Sequence, residues 1–357
     1  HVMGAESIVG VPMQVVANLI IGFVVFGIAL TITGGGEFFM NFATALMGRS
    51  RGGPAKVAVV SSAFMGSLSG SAVSNILTTG TITIPAMKRS GYSREYAAAV
   101  EACASTGGTL MPPVMGAVAF IMASFLGVSY GEVMLAALLP AVLFYLALLL
   151  QVDNYAARKG LMGMPAKDIP RVRDTLLSGW PYLLSLGVLI YMLLVMRLES
   201  QAPYYATLIL LAIALVRRQQ RLRISQLLDF FYQLAHGVGS LVAVLAGIGL
   251  VVGGLSYTGV AGAFSRELLL YAGDSIPLML AAGAITSFIL GMGMTVSACY
   301  IFLSILLAPA LVGAGLNPLA SHLFILYWGM LSYITPPVAL AAITAAGVAG
   351  ANSTLTS

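Results

Sequence analysis

The chain consists of long apolar runs separated by short basic clusters. Of its 357 residues, 59% are hydrophobic and only 8% carry a charged side chain, whereas a soluble domain has about 25% charged residues. The mean hydropathy is +0.97. A soluble globular fold is therefore nearly excluded, and the pattern predicts an all-α protein that crosses a membrane several times.

Apolar runs of about 20 residues, the length that spans a bilayer, predict the crossings. The long runs are approximately 12–33, 132–151, 177–197 and 236–256, and a shorter candidate covers 201–216. The first residue is His1, and no signal peptide precedes the first run. We therefore interpret the chain as an internal fragment of a longer membrane protein.

Four further apolar stretches are interrupted in the middle. In 54–88 and 277–311 the interruption is rich in glycine and hydroxyl residues, and each stretch is expected to form a re-entrant hairpin of two half-length helices. The stretches 94–126 and 318–350 each contain a Pro-Pro pair. Proline inside a helix removes a backbone donor and clashes with the preceding turn, so each is expected to be a broken helix.

The basic residues divide unevenly between the two membrane sides that this arrangement implies. If the hairpins do not cross, 15 of the 17 lysines and arginines fall on one side, and only Arg197 and Arg266 on the other. The 15 are Arg49, Arg51, Lys56, Lys88, Arg89, Arg94, Arg158, Lys159, Lys167, Arg171, Arg173, Arg217, Arg218, Arg221 and Arg223. Because an excess of Lys and Arg marks the cytoplasmic side, the first hairpin is expected to open to the cytoplasm and the second to the outside.

A shift of 224 residues superposes the two Pro-Pro pairs of the chain, and Gly91 then falls on Gly315. An odd number of crossings between the two copies makes the repeat inverted in the membrane. The predicted organisation is a first repeat over 1–151, a cytoplasmic loop with two connecting spans over 152–223, and a second repeat over 224–357. The second repeat is expected to lack its last helix.

Interrupted apolar segments at matching positions of two halves indicate the binding site of a secondary transporter, because lipid cannot satisfy free backbone groups at mid-depth. Half-helices beginning near Ser71, Pro112, Thr295 and Pro336 favour an anionic group. The interruptions offer hydroxyls, an amide and carbonyls but no carboxylate. Such neutral oxygens favour Na⁺ over a proton relay. The alternative is that these small residues only permit close helix packing.

Several motifs resemble the large membrane subunit (DctM-like) of the TRAP family, the tripartite ATP-independent periplasmic transporters. They are RGGPAKVAVV at 51–60, GSLSGSAVSN at 66–75, IPAMKRSGY at 84–92, STGGTLMPPVMG at 105–116, ITPPVALA at 334–341 and AGVAGAN at 346–352. The last two look like the second repeat of that family. The variant looks closest to fused permeases, in which small and large membrane subunits form one polypeptide served by a TAXI-type binding protein.

The resemblance implies a sodium-driven elevator transporter in the bacterial inner membrane. It would import a small organic acid, a dicarboxylate or similar carboxylate, from a periplasmic substrate-binding protein. The implied partners are that TAXI-type protein, a small membrane subunit or its fused equivalent, and membrane lipid, but no nucleic acid. Na⁺ is implied as the coupling ion, without any cofactor, catalytic residue or enzymatic chemistry.

The resemblance also implies two sodium sites and a substrate site between them. The first sodium site would use Ser69, Ser71, Asn75, Gly107 and Gly108. The second would use Gly291, Gly293, Thr295, Ser332 and Thr335. The substrate would lie near Ser71, Thr109, Pro112 and Pro336. In the second tip Met292 and Met294 supply no oxygen side chain and Cys299 replaces the counterpart of Asn75, so backbone carbonyls are expected to contribute more there.

Glu101 is the acidic residue expected within a membrane span, and such a residue is a functional candidate by default. The alternative is a packing role or an ion pair near the cytoplasm. Two other functions stay open at this point. One is an anion transporter of related architecture that needs no binding protein, and the other is a passive channel or membrane scaffold.

Overall fold

The computed structural model describes residues 8–216, 224–272 and 275–357. Within these ranges every regular element is a helix. Four helices are long and apolar enough to cross a membrane: Val11–Ile32, Tyr130–Lys159, Ala166–Leu194 and Gln226–Tyr257. The prediction of an all-helical protein with several spans is confirmed. The basic cluster of Arg217, Arg218, Arg221 and Arg223 lies outside the described residues.

The interrupted stretches form two helix pairs and two interrupted helices. The first helix pair contains Gly53–Ser69, Ala72–Asn75, Ile76–Gly80 and Thr81–Arg89. The first interrupted helix contains Arg94–Gly107 and Ala117–Leu126. The second helix pair contains Ile276–Gly291, Val296–Leu306 and Ala308–Gly313, and the second interrupted helix contains Pro318–Leu331 and Leu340–Ala349. The other helices in the described residues include Gly35–Met47, Ala202–Val216, Val260–Ala272 and Ser353–Thr356.

Four short non-helical segments separate these half-length helices. The first turn, 70–71, and the second turn, 292–295, join the helices of each pair. The first break, 108–116, and the second break, 332–339, interrupt the other two helices. All four contain the glycine or proline residues that the sequence marks as helix breakers.

The long helices differ from the predicted spans mainly in length. The run 132–151 lies inside Tyr130–Lys159, which has 30 residues. This helix begins after Ser129, whose hydroxyl caps it, and ends at Gly160 with φ of +64°. The short candidate lies in the helix Ala202–Val216, and residues 217–223 after it are outside the described part of the chain.

The second halves of the interrupted helices begin later than expected. The sequence placed these starts near Pro112 and Pro336, whereas the helices begin at Ala117 and Leu340. The last residues of each break have positive φ angles, a conformation that a right-handed helix does not contain. Helical structure therefore resumes only after those residues.

Residues 224 positions apart share local conformation. Ser93 and Asn317 each cap a helix by accepting a hydrogen bond from the backbone N–H three residues ahead. Met115 has φ of +56° and Ala339 has φ of +48°. The register found in the sequence is thus matched by the backbone at helix starts and at the ends of both breaks.

The core lies where the pairs and interrupted helices pack together. Arg94–Gly107 contacts both Gly53–Ser69 and Leu340–Ala349, and Ile276–Gly291 contacts Pro318–Leu331. The faces of Arg94–Gly107 and Leu340–Ala349 carry fully buried alanines, including Ala97, Ala98, Ala341 and Ala345. Small residues let helix backbones approach closely, so the two halves of the chain meet along this alanine-rich contact.

Candidate ion and substrate site

The first turn and the first break touch through their glycine backbones. A Cβ atom added to Gly66 would lie 2.6 Å from the Cα of Gly108, and one added to Gly70 would overlap the Cα of Gly116. Gly70 also has φ of +62°, which favours glycine over other residues. Glycine at these positions is therefore what allows the turn to reach the break.

Asn75 connects the first turn to the helix before it. Its side chain is 1% exposed and donates from Nδ2 to the carbonyl of Ser62 at 2.9 Å. The same Nδ2 would lie 2.9 Å from a Cβ on Gly66. Because Gly66 also touches Gly108, the structure brings Asn75 and Gly108 of the predicted sodium set against the same glycine.

The two serines of that set lie at the surface of the turn. Ser69 and Ser71 are exposed. The backbone N–H of Ser71 donates to Ser69 Oγ at 3.5 Å, and Ser71 Oγ accepts the N–H of Ser74 at 3.3 Å. Both hydroxyls thus stand at the start of the helical segment that leads to Asn75.

Gly107 packs against the long helix Tyr130–Lys159. A Cβ added to it would overlap the ring of Phe144 on that helix. Its carbonyl accepts the N–H of Leu110 at 3.0 Å. The structure thus uses Gly107 for helix packing, while its neighbour Gly108 packs on Gly66.

Two residues of the second predicted sodium set lie together. A Cβ on Gly291 would lie 2.7 Å from Ser332 Oγ and 2.5 Å from the carbonyl oxygen of Gly329. Ser332 is 1% exposed and donates to that carbonyl at 2.6 Å. The end of one helix in the second pair therefore packs directly on the second break.

The other residues of this set are more open. A Cβ added to Gly293 would meet no described atom within 4 Å, and Thr295 is exposed. Thr295 caps Val296–Leu306 by accepting the N–H of Ala298 at 3.2 Å. Thr335 donates to the carbonyl of Leu331 at 2.9 Å, next to its own break.

Tyr333 makes a contact that the sequence does not predict. Its side chain is 7% exposed, and its hydroxyl accepts the N–H of Val296 at 3.1 Å. Val296 is the first residue of its helix, where N–H groups lack helical partners. This bond fixes the second break to the second turn. The sequence places the two residues 37 positions apart, without any local signal that joins them.

Thr109 connects the first break to the helix that precedes the second break. Its Oγ1 donates to the carbonyl of Thr106 at 2.8 Å and lies 3.7 Å from the sulfur of Met330. Of the other predicted substrate residues, Pro112 is half-buried and Pro336 is exposed. The structure therefore brings the first break against the helix that leads into the second break.

Glu101 lies in a cluster of hydroxyl groups and is fully buried. We define the Glu101 cluster as Glu101 with four hydroxyl donors: Ser62 at 2.7 Å, Thr79 at 2.7 Å, Ser105 at 3.1 Å and Thr83 at 2.5 Å. The i, i+4 spacing of Thr79 with Thr83, and of Glu101 with Ser105, places each pair on one helix face. From this spacing in the sequence the hydroxyl donors to Glu101 could have been predicted.

The ion-pair interpretation of Glu101 is wrong for the described part of the chain. The ion pairs there join Arg51 and Lys56 to Asp153. Glu101 is instead surrounded by neutral donors. Among the described residues, no group of three or more His, Cys, Asp or Glu side chains is arranged for a metal ion.

Comparison with known proteins identifies related permeases. The chain is 25% identical over 343 residues to an isethionate TRAP transporter permease protein, DctMQ, of Oleidesulfovibrio alaskensis. That match covers 92% of the chain and 52% of the relative, so the chain spans about half the length of that protein. It is 34% identical over 148 residues to a C4-dicarboxylate TRAP transporter large permease protein, DctM, of Vibrio cholerae, covering 41% of the chain and 32% of the relative.

A sialic acid TRAP transporter permease protein of Haemophilus influenzae is 28% identical over 143 residues, which cover 40% of the chain and 23% of the relative. The model of the tripartite ATP-independent periplasmic transporter family, DctM component, matches residues 1–356. This match agrees with the helical spans and with the motifs at both breaks. The chain therefore belongs to the DctM component family of tripartite ATP-independent periplasmic transporters.

Proposed function

We propose that this chain forms the permease of a sodium-coupled secondary transporter that imports a small organic acid delivered by a periplasmic binding protein. The observation that carries the proposal is the contact of the first break with the helix that leads into the second break, where Thr109 Oγ1 lies 3.7 Å from the sulfur of Met330. Interrupted helices that meet inside a membrane protein leave backbone groups for ions and substrate. A covalent reaction is not needed to explain these features.

The architecture that we propose is an inverted repeat of the elevator type. The first repeat would cover 1–151 and the second 224–357, with a connecting region at 152–223. The shared helix caps and left-handed residues 224 positions apart support the repeat. The distribution of basic residues supports opposite orientations. In this arrangement the two helix pairs are re-entrant hairpins.

Sodium coupling is supported by the neutral oxygen atoms near both turns. In the first half, Asn75 and Gly108 both lie against Gly66, and the Asn75 amide contacts the Ser62 carbonyl. In the second half, Gly291 packs on Ser332. Hydroxyl, amide and carbonyl oxygens suit a hard monovalent cation, and residues that carry such oxygens come together here from separate elements. We propose Ser69, Ser71, Asn75 and Gly108 for the first site, with Gly107 in a packing role.

An organic anion is the substrate class that fits best. The helical segments after Ser71 and Thr295 begin at exposed, hydroxyl-capped ends, and a helix start attracts negative charge. The relatives are named for isethionate, C4-dicarboxylate and sialic acid, which are organic acids or their anions. We propose a carboxylate bound between the turns, near Ser71, Thr109, Pro112 and Pro336.

The proposed partners are a TAXI-type binding protein, a small membrane subunit or fused equivalent, and lipid. The similarity to a permease named DctMQ supports a fused organisation. Within Gln226–Tyr257 only 17% of the most apolar window is buried. An apolar helix with so much free surface requires lipid or another membrane segment as its neighbour.

Reconstitution of the complete transport system tests this function. The substrate would first be identified by thermal-shift screening of organic acids against the cognate binding protein. Uptake into proteoliposomes is expected to require both an inward sodium gradient and that binding protein. Uptake without the binding protein would favour an independent anion transporter, and gradient-independent flux in both directions would favour a channel.

A further inference from the structure

The Glu101 cluster holds a carboxyl group in a setting that suits both of its protonation states. Three hydroxyls reach Oε1 and one reaches Oε2, at 2.5–3.1 Å. A carboxylate accepts about four hydrogen bonds, so these donors saturate the ionised form. Each hydroxyl also has an oxygen that accepts, so the same groups accommodate the protonated form.

The charged groups on the helices that pack against Glu101 are occupied elsewhere. Lys56 on Gly53–Ser69 binds Asp153, and Lys88 on Thr81–Arg89 donates to the carbonyl of Ala349. Arg89 is exposed. Leu340–Ala349, the helix in closest packing with that of Glu101, carries no titratable side chain.

One titratable group of a neighbouring helix faces Glu101. This is Tyr145, whose hydroxyl donates to the carbonyl of Ala104 at 2.7 Å. A phenol is neutral in the physiological range. In the described part of the chain, therefore, Glu101 has no cationic side chain as a partner. A buried carboxylate without one is costly unless a proton or a bound cation neutralises it.

Glu101 accepts hydrogen bonds from Ser62 and Thr79, and both of these residues also contact Asn75. Ser62 donates to Glu101 through its hydroxyl and accepts Asn75 Nδ2 through its carbonyl at 2.9 Å. The Thr79 hydroxyl lies 2.7 Å from Glu101 Oε1, 2.8 Å from the Asn75 carbonyl oxygen and 3.4 Å from Asn75 Oδ1. The single Thr79 proton can serve only one strong acceptor at a time. The state of Glu101 therefore decides whether Thr79 donates to Glu101 or to Asn75.

We propose that Glu101 is the charge partner of the monovalent cation site at Asn75, protonated when the site is empty and ionised when Na⁺ is bound. When one Na⁺ enters, the O–H bond of the carboxyl breaks and one proton leaves to solvent, so the net charge of the region is unchanged. Thr79 then turns its hydroxyl from the Asn75 carbonyl to Glu101, which frees that carbonyl for the ion. This inference rests on the proposed sodium coupling.

Sodium binding to the purified permease tests the proposal without a known substrate. Binding of ²²Na⁺ would be measured from pH 5.5 to pH 8.5 (roughly the range in which a buried carboxyl titrates), with choline holding the ionic strength constant. Proton release on sodium addition would be followed in weak buffer. The unaltered protein is expected to release protons and to bind sodium more weakly as the pH falls.

Glu101→Gln mimics the protonated form. It is expected to weaken sodium binding about tenfold or more through loss of the negative charge, to release no proton, and to bind sodium independently of pH. Glu132→Gln, an exposed acid at another helix start, is the matched control and is expected to behave as the unaltered protein. If Glu101 had only a structural role, Glu101→Gln would still release protons when sodium is added.

Thr83→Val keeps the carboxyl and removes its donor to Oε2. It disfavours the ionised form, so the pH dependence of sodium binding is expected to move to higher pH, and this variant serves if Glu101→Gln fails to fold. This inference would be overturned, with sodium coupling left standing, if Glu101→Gln kept its sodium affinity and proton release. The same holds if Thr83→Val left the pH dependence of sodium binding unchanged. No sodium binding by the unaltered protein would overturn sodium coupling as well.

Discussion

Ser71 and Thr295 cap their helices in the same way, although 224 positions separate them. Ser71 Oγ accepts the N–H of Ser74 at 3.3 Å, and Thr295 Oγ1 accepts the N–H of Ala298 at 3.2 Å. Each hydroxyl is exposed beside a turn that packs on a break. The two halves thus have the same local design at their turns.

The residues four positions further on differ between the halves. Asn75 Nδ2 donates to the Ser62 carbonyl at 2.9 Å, whereas Cys299 Sγ reaches the Ser287 carbonyl at 3.7 Å. A thiol is a weak donor and acceptor compared with an amide. The first turn is therefore followed by an amide side chain where the second turn is followed by a thiol.

Asn75→Ala is expected to raise the sodium concentration for half-maximal uptake by about tenfold, equivalent to about 1.4 kcal/mol of lost binding. In the proposed site its amide supplies Oδ1, while Nδ2 lies beside Gly66 and donates to the Ser62 carbonyl. Sodium titration of uptake, normalised to protein abundance, measures the effect, and Ser69→Ala should act in the same direction. The control is Asn352→Ala, since Asn352 caps the short C-terminal helix. Equal sodium dependence in the Asn75 and Asn352 variants would remove Asn75 from the site.

Gly70→Ala is expected to destabilise the protein more than Gly127→Ala does. Both positions have left-handed φ angles, +62° and +64°, which cost alanine about 1–2 kcal/mol. At Gly70 the new methyl group also overlaps Gly116, whereas no described atom lies within 4 Å at Gly127. The overlap adds about 1–3 kcal/mol. Thermal unfolding in detergent compares the two variants, and equal midpoints would contradict the close contact of turn and break.

Gly291→Ala is expected to destabilise the second turn, because the methyl group would lie 2.5 Å from the Gly329 carbonyl oxygen. Overpacking of this kind costs about 1–3 kcal/mol. The matched control is Gly347→Ala in a neighbouring helix, where the added atom meets no described atom within 4 Å. Thermal unfolding with and without sodium measures both. A Gly291 variant as stable as the Gly347 variant would show that the turn does not rest on the break.

Tyr333→Phe is expected to lower the free energy of unfolding by about 1 kcal/mol, the usual value of one hydrogen bond. The loss leaves the N–H of Val296 without its phenol partner. Tyr205→Phe, at an exposed tyrosine, is the control and should change stability little. Reversible unfolding in mixed micelles provides the measurement. Matching values for the two variants would argue against the bond.

Met162→Cys and Ser200→Cys are expected to react with a membrane-impermeant thiol reagent from opposite sides. Both positions are exposed, and Ala166–Leu194 lies between them. The basic residues predict that 162 is cytoplasmic and 200 external. Comparing the labelling of each cysteine in intact cells with its labelling in inverted vesicles shows on which side of the membrane it lies. Reaction of both positions from one side would exclude the predicted orientation.

The sequence by itself determined the membrane class, the main spans and the positions of the interruptions. These properties are local: a run of apolar residues predicts a span, and Gly70 or a Pro-Pro pair stops a helix wherever it occurs. The 224-residue register also follows from the sequence, because the same breakers recur in order. Helix starts after the breaks were placed several residues early, since the backbone angles of Met115 and Ala339 follow from no simple residue preference.

Only the tertiary structure decided which polar groups meet. Thr109 and Met330 are 221 positions apart, and the donors to Glu101 come from separate helical segments. Likewise, the sequence marks both Gly107 and Gly108, but the packing places Gly107 against Phe144 and Gly108 against Gly66. Such contacts depend on how helices pack against each other, and residue type and spacing along the chain do not encode that packing locally.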